Sequence, residues 1–219
     1  MQHQNGLSDL AYDKIKSLIL QNQLKPGQLL KEAQLQDLVG IGRTPVREAL
    51  LRLADSELVN IHPRKGIEIA RVSPKSIRDI FQARSLIEPL VLQTYHENLS
   101  LESLHHFRQQ FDQSSADHTL TRDKALALAD LDDQFHLAII EAMGNQYTTQ
   151  MMKLFADKLT IIRASVSVAD NQRWLISNQE HIRIIDAILM ENIDSACDLL
   201  RSHLAVSYEE AVKTLMQMD

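Results

Sequence analysis

Asp132 and His136 are the two side chains whose types and spacing first suggest chemistry. They lie four residues apart in a segment with helical apolar spacing, so a carboxylate and an imidazole project from one face, one turn apart. Two side chains of a single helix must be placed in this way if both are to bind one metal ion. The spacing is weak evidence by itself, because Asp and His four residues apart more often form an exposed hydrogen bond.

Two further histidines fall on apolar helix faces. His181 shares a face with Ile185 and Ile188, and His203 shares one with Leu200. A neutral imidazole on an inward face needs a polar partner there. The residues leave two interpretations open: core histidines that bind a carbonyl or a carboxylate, or ligands of a metal ion.

A different chemistry is indicated between residues 43 and 66. Arg43 and Arg47 lie four apart at the start of a short helix with an apolar stripe, and a turn carrying Arg64 and Lys65 follows. A guanidinium at the start of a helix can bind a guanine edge through two hydrogen bonds or clamp a phosphate. The alternatives are a solvated arginine pair and a mobile basic turn.

The net charge differs in sign between the two parts of the chain. The 219 residues carry −6 in total, but residues 1–72 hold 10 Lys+Arg and 8 Asp+Glu, a net charge of +2, whereas the remainder holds 13 and 21, a net charge of −8. An acidic surface is repelled by phosphate, so any contact with DNA must come from the N-terminal part. We find no stretch near the roughly 18 apolar residues of a membrane span and no apolar signal peptide, so we expect a cytoplasmic protein without membrane contact.

The spacing of apolar residues and the turn signals predict three helices and a hairpin before residue 72. In the first helix we expect Asp9 or Ser8 as the N-cap, and in the second we expect Leu38 to face inward. Gly40 ends the second helix, and Pro45 fits the first turn of the third. These features predict a winged helix-turn-helix domain over residues 1–72, with helices at 10–22, 31–39 and 44–55 and strands at 58–62 and 66–71.

The remainder of the chain, residues 73–219, is predicted to be helical throughout. Ser73 and Pro74 form a natural joint, because Pro74 suits the first turn of a helix that Ser73 caps. Glycines are almost absent and no alternating strand pattern occurs, which favours an all-α bundle of six helices and a mainly α protein. The expected helices are 75–97, 100–116, 121–143, 145–167, 172–192 and 194–217.

The N-terminal pattern resembles the GntR family of bacterial regulators, and the C-terminal part resembles the helical ligand-binding domain of its FadR branch, the FCD type. Six C-terminal helices are typical of the shorter, VanR-like members. The residues that carry the N-terminal resemblance are Ala11-Tyr12-Asp13-Lys14-Ile15, Leu24-Lys25-Pro26-Gly27, Leu35, Gly40, Arg43–Leu50, Leu58-Val59 and Pro63–Gly66. Those that carry the C-terminal resemblance are Ala83–Glu88, Asp132–His136, Gly144-Asn145, Glu180-His181 and His203.

The resemblance implies roles for the basic residues of the N-terminal part. It gives a DNA-contact role to Arg43, Thr44, Arg47, Arg64, Lys65 and Gly66. Gly42 departs from the family, which usually has a serine before this arginine. A serine would cap the helix and could add a phosphate contact, so its absence predicts a weaker cap and one contact fewer.

The resemblance also implies a metal and an effector in the C-terminal part. It carries Asp132, His136, His181 and His203 as one metal site, with zinc as the default and nickel, manganese or iron fitting the same ligands. Arg84 resembles the arginine that faces this pocket in relatives and would bind a carboxylate effector through a bidentate fork. The alternative for Arg84 is an ion pair with Glu88, four residues on, worth only a few tenths of a kcal/mol.

The expected function is a bacterial transcription regulator, a repressor on family grounds, that responds to a small carboxylate. One winged helix offers too few contacts for specific binding at cellular salt, so we expect a homodimer and a palindromic operator. Two alternatives remain: a helical domain that only dimerises, without metal, and a metal-dependent hydrolase. The hydrolase has little support, because it leaves the helix-turn-helix unexplained and has no separate base or nucleophile.

Overall fold

The computed structural model describes residues 6–116, 121–165 and 171–218, and the chain divides into two compact units between Val72 and Ser73. The N-terminal unit contains α1 (Leu7–Leu20), β1 (Leu29–Leu30), α2 (Glu32–Val39), α3 (Arg43–Asp55), β2 (Val59–His62) and β3 (Gly66–Ile69). The C-terminal unit contains α4 (Pro74–Tyr95), a 3₁₀ turn (His96–Asn98), α5 (Leu101–Ala116), α6 (Arg122–Glu141), α7 (Gln146–Ser165), α8 (Asn171–Leu189) and α9 (Ile193–Met218).

The predicted mainly α fold is confirmed. In the C-terminal unit, the observed helix ends lie within three residues of the predicted ones wherever the structure describes them. The predicted end of the fourth helix, residues 166–167, lies outside the described residues. Among the helices in the described part of the chain, none is long and apolar enough to cross a membrane.

The N-terminal unit is three helices over a small antiparallel sheet. α1 packs against α3, and the core between them includes Ile15, Leu50 and Leu53, each at most 2% exposed. The strands lie in the order β1-β3-β2, and in the hairpin Val59 pairs with Ile69. This arrangement is a winged helix-turn-helix, with α3 in the place of the recognition helix.

Two details of α1 and α2 differ from the sequence predictions. The N-cap of α1 is Gly6 rather than Ser8 or Asp9, and Asp9 instead accepts a hydrogen bond from the Gly6 amide at 3.3 Å. In α2, Leu35 and Val39 are buried, but Leu38 is 56% exposed. Residues four apart lie closer to one line along a short helix than residues three apart, so Leu38 falls on the flank of the buried stripe.

Strand β1 is an element that the sequence did not predict. Its residues Leu29 and Leu30 pair with Glu68 and Ile67 of β3 and turn the hairpin into a three-stranded sheet. Two residues are too short for an alternating pattern to be read. Gly66, at the start of β3, has φ +133°, and a Cβ there would collide with the Leu30 carbonyl oxygen. This contact within the sheet explains why a glycine occupies position 66, independently of any contact with DNA.

The C-terminal unit is an all-helical bundle. α4 packs on α9, α5 on α8 and α6 on α7. Ser73 caps α4 by accepting a hydrogen bond from the Ser76 amide at 3.0 Å, as its sequence position predicted. Phe107, Phe111 and Phe135 are buried and meet edge to face, with ring centroids 5.8 and 6.1 Å apart. This aromatic cluster fixes α5 against α6 beside the polar residues described below.

We expect Gly66→Ala to destabilise the hairpin by about 1–3 kcal/mol, because alanine is strained at a positive φ and its Cβ would meet the Leu30 carbonyl. Native-state hydrogen exchange of the β2 and β3 amides measures the loss. Gly42→Ala is the control, since Gly42 has a negative φ and open space around it. Equal exchange rates in the hairpin of the two variants would contradict the explanation.

Candidate metal centre and nucleic-acid interface

Helices α6, α8 and α9 bring four predicted metal ligands together inside the C-terminal unit. Asp132 and His136 come from α6, His181 from α8 and His203 from α9. One potential ligand atom from each lies within 4.8 Å of the others. The three imidazoles are almost completely buried, and Asp132 is half-buried. The structure therefore joins in space the residues that the sequence separates by up to 71 positions.

The nitrogen atoms of the cluster face one another. Nε2 of His181 lies 3.4 Å from Nε2 of His136 and 3.3 Å from Oδ1 of Asp132. The rings of His136 and His203 are stacked, with centroids 5.3 Å apart. A single proton on His181 Nε2 can satisfy only one of its two acceptors, whereas a cation among these atoms would satisfy all of them at once.

His136 is held by a buried carboxylate from α4. Nδ1 of His136 donates to Oε2 of Glu88 at 2.6 Å, and Nε of Arg84 donates to Oε1 of the same carboxylate at 2.5 Å. Arg84 is 4% exposed and Glu88 is fully buried. The Arg84–Glu88 ion pair, the alternative that the sequence offered, is therefore present, and both of its charges are out of water, unlike those of the exposed helix pairs that are worth a few tenths of a kcal/mol.

His203 is held in the same way by a second carboxylate. Its Nδ1 donates to Oε2 of Glu180 at 2.7 Å. Arg173, two turns earlier on α8, contacts both oxygens of Glu180, with Nη1–Oε1 at 3.1 Å and Nη2–Oε2 at 3.2 Å. This is a bidentate fork, the strongest geometry for an arginine–carboxylate pair.

The carboxylates set the tautomers of two histidines. An ionised carboxylate can only accept hydrogen bonds, so Nδ1 of His136 and Nδ1 of His203 carry the protons. Their Nε2 atoms then present lone pairs, as a ligating imidazole must. Metal-binding histidines in proteins are commonly oriented by such an outer carboxylate. The donor set and its orientation thus fit a divalent cation.

Burial keeps the imidazoles neutral. It lowers the pKa of His136 and of His203, and it lowers the pKa of His181 to about 4. Only a neutral imidazole has a lone pair to offer a metal, so all three histidines are in the ligating form near neutral pH.

The two glutamates stay ionised despite their surroundings. Burial acts to raise the pKa of Glu88, but the charge of Arg84 and the hydrogen bonds from Arg84 and His136 outweigh it, and the pKa falls to about 2. Burial likewise opposes the hydrogen bonds that Glu180 accepts, and its pKa also falls to about 2. Each glutamate is thus an ionised acceptor for its histidine, while its charge is balanced by an arginine, Arg84 or Arg173.

Two buried nitrogen atoms in this region have no hydrogen-bond partner in the part of the chain that the structure describes: Nδ1 of His181 and Nη2 of Arg84. The His181 ring is held instead by Phe111, on which it stacks with centroids 4.5 Å and planes 9° apart. A buried donor without an acceptor is costly, and on a guanidinium it marks a place for an anion.

Sequence reasoning missed the two glutamates, Glu88 and Glu180, that hold the ligand histidines. Glu88 and His136 lie 48 positions apart in the sequence, on two different helices, so no local spacing indicates that they pair. The contact between Arg173 and Glu180 had a signal, since residues seven apart share a helix face. Glu180 also precedes His181 directly in the sequence.

The predicted DNA-contact residues lie on the surface of the N-terminal unit. Arg43, Thr44 and Arg47 are exposed in the first turns of α3, and Arg64 and Lys65 are exposed at the hairpin tip. Gly42, the N-cap of α3, provides no side-chain cap, as its glycine implied.

The N-terminus of α2 connects the two basic groups. Nζ of Lys31 donates to the Lys65 carbonyl at 3.0 Å, and Glu32, the next residue, lies 3.3 Å from Nε of Arg43. The hairpin tip and the start of α3 therefore flank the same helix end. Lys31 is an exposed cation that sequence reasoning did not select.

The comparisons with known proteins define the class. Residues 79–206 match the FCD domain family, and residues 7–69 match the family of bacterial regulatory proteins named gntR. The chain belongs to the GntR family and carries an FCD domain, which confirms the resemblance. It is a DNA-binding transcription regulator and not an enzyme, so the hydrolase alternative is wrong.

Individual relatives agree over nearly the full length. The HTH-type regulator YdhC of Bacillus subtilis is 24% identical over 88% of this chain and 85% of its own. The HTH-type repressor GlaR of Escherichia coli is 26% identical over 88% and 90%. E. coli McbR/YncC has the same fold, with a TM-score of 0.73, 19% identity and coverage of 97% and 98%. The Zn²⁺-bound FCD domain of TM0439 gives a TM-score of 0.55 at 23% identity over 67% of this chain and 98% of that one.

We expect Glu88→Ala to destabilise the metal-free protein by about 3–5 kcal/mol, because the change leaves the Arg84 charge buried and unpaired. Glu180→Ala should cost less, since Arg173 is 20% exposed and can turn toward water. Thermal unfolding of chelator-treated protein, followed by circular dichroism, compares the two. A smaller loss for Glu88→Ala than for Glu180→Ala would contradict this order.

Proposed function

We propose that this regulator is a homodimeric repressor, acting in the cytoplasm, whose affinity for a palindromic operator is set by a small carboxylate bound at a metal site in its FCD domain. The observation that carries the proposal is the convergence of Asp132, His136, His181 and His203, with two of the imidazoles oriented by buried carboxylates. A domain that only dimerises has no need of this arrangement.

Zinc is the metal that the donor set favours, since three imidazoles and one carboxylate suit it, and nickel, manganese and iron accept the same ligands. The Zn²⁺-bound FCD domain of TM0439, which shares the fold, supports this assignment. A cation held by four protein ligands would supply a Lewis-acidic centre that can accept a further oxygen ligand. Glu88 and Glu180 keep the ligand histidines in their binding tautomers.

The effector is a small carboxylate, such as a sugar acid or another organic acid. Arg84 supports this class, because its buried Nη2 lacks an acceptor among the described residues while its Nε stays on Glu88. A guanidinium binds a carboxylate more strongly than it binds a neutral oxygen. Arg84 thus combines both roles that the sequence left open, the ion pair and the effector contact.

The operator is held by the exposed residues of α3 and of the hairpin tip. Arg43, Arg47 and Thr44 at the start of α3 enter the major groove, and Arg64 and Lys65 reach the backbone or the minor groove. Arg64 has φ +66°, a conformation that costs an arginine about 1 kcal/mol or more. This strained turn places the Arg64 cation at the hairpin tip. Gly66 provides the close turn behind them.

Regulation follows from the spacing of two such units in a dimer. The metal ligands come from α6, α8 and α9, and Arg84 from α4, so a bound carboxylate favours one packing of these helices over another. A dimer that spaces its winged helices differently in the two states binds its operator with two affinities. The relative GlaR, itself a repressor, supports repression as the sign of regulation.

The metal site predicts stoichiometric zinc. Full-length protein purified without affinity tag or chelator should hold about one zinc per chain, and chelation should lower its thermal midpoint, because a metal at 100 times its dissociation constant adds about 2.7 kcal/mol. His136→Ala should lower zinc affinity by about 100-fold or more, beyond the loss typical of an outer-layer change. His105→Ala, an exposed histidine on α5, is the control. Metal-free wild type that binds no zinc in titration calorimetry would refute the assignment and leave a plain dimerisation domain.

The DNA interface predicts a large effect of one arginine. We expect Arg47→Ala to weaken binding about 100-fold or more, because a base contact of about 1–3 kcal/mol is lost in both halves of a dimer. The probe is duplex DNA selected from a random library by the wild-type protein, measured at one salt concentration. Arg201→Ala, which removes an exposed charge from α9, should change affinity less than about twofold. Light scattering checks that both variants keep the wild-type oligomeric state, and retained affinity in Arg47→Ala would refute the interface.

A further inference from the structure

Two chains of hydrogen bonds lead from an arginine through a glutamate to a ligand histidine. We name Arg84, Glu88 and His136 the inner chain, and Arg173, Glu180 and His203 the outer chain. Both end on an Nδ1 atom, at 2.6 Å and 2.7 Å. They differ at the other end, in how the arginine uses its donors, and this difference has consequences for ligand binding.

The arginine of the outer chain binds both oxygens of its glutamate. Nη1 and Nη2 of Arg173 each contact one oxygen of Glu180. Each of these nitrogens keeps a second N–H, but a carboxylate that took the same fork, the two N–H bonds that point at Glu180, would have to displace it. Carboxylate binding in this fork therefore competes with the hold on His203.

The arginine of the inner chain has a spare donor. Arg84 contacts Glu88 through Nε alone, and its buried Nη2 meets no acceptor in residues 6–116, 121–165 and 171–218. A carboxylate that reached Nη2 would not compete with Glu88 for a donor. Because the guanidinium is planar, fixing Nη2 also fixes the direction of the Nε–H bond that Glu88 accepts.

Glu88 has little room to move in response. Its two oxygens are held at 2.5 Å by Arg84 and at 2.6 Å by His136, and its side chain is 0% exposed. A close-packed interior transmits a displacement rather than absorbing it. A constraint on the Arg84 plane thus passes through one carboxylate to the orientation of the His136 ring.

We propose that Glu88 is a positioning residue that couples carboxylate binding at Arg84 to metal binding at His136, so that each ligand raises the affinity for the other. The outer chain holds His203 without taking part in this coupling. The inference rests on the proposed metal and carboxylate sites and adds the path between them. By linkage, the factor by which the carboxylate strengthens metal binding equals the factor by which the metal strengthens carboxylate binding.

The test is a comparison of zinc affinity with and without saturating acetate, by competition with a zinc-binding dye, in full-length wild type, Glu88→Gln and Glu180→Gln. Arg84 and His136 bind different oxygens of Glu88, and a glutamine replaces one of these oxygens with an NH₂ donor, so one of the two N–H groups loses its acceptor. Both variants should lose about 10–100-fold in zinc affinity, as outer-layer changes do. Acetate should raise zinc affinity about 5-fold or more in wild type and in Glu180→Gln, and at most about half as much in Glu88→Gln.

The outcomes distinguish a failure of the role of Glu88 from a failure of the proposed metal site. An acetate oxygen bound directly to the metal would strengthen zinc binding equally in all three proteins, so equal factors overturn the role of Glu88, as does the absence of any acetate effect in wild type. Wild type that binds no zinc overturns the proposed function itself. If Glu88→Gln does not fold, judged by circular dichroism, Glu88→Asp takes its place, because it keeps the charge but is one methylene too short to reach both partners. A wild-type acetate factor in folded Glu88→Asp also overturns the proposal.

Discussion

The buried carboxylate of Glu88 is the constraint on which the rest of the helical unit depends. A charge without water costs several kcal/mol unless partners surround it, and here a guanidinium from the same helix and an imidazole from α6 do so. These contacts require α4 and α6 to meet at one register. The register in turn brings Asp132 and His136 to face the histidines of α8 and α9. Packing of apolar side chains alone would tolerate slippage that this charged contact does not.

Much of the fold could be predicted because its signals are local. Gly40, Pro45 and Ser73 mark helix ends by their own backbone preferences, and the apolar period of the remainder defines its helices. The sequence predictions that were wrong or incomplete have physical causes. Strand β1 is stabilised by pairing with β3 rather than by its own pattern, and Leu38 lies at the edge of a stripe whose width depends on what packs against it.

The residues of the metal site also differ in how far the sequence could predict them. Asp132 and His136 share one helix, so their spacing could be read, whereas His181 and His203 needed a family resemblance to join them. The contact of Glu88 with His136 could not be read from spacing, since it depends on how two helices cross. Chemistry that lies within a helix is visible in a sequence, and chemistry between helices becomes visible only with the fold.

The short strand β1 has a consequence for how such a regulator can evolve. It binds the hairpin along one edge, and Lys31, directly after it, holds the tip by a carbonyl. The hairpin and the helix-turn-helix are therefore joined by contacts within the N-terminal unit. In the proposed dimer, a signal from the helical unit would change the distance between the two DNA-binding units and not the bases that each one contacts. Operator spacing and operator sequence are then independent characters, and mutation can alter one without disturbing the other.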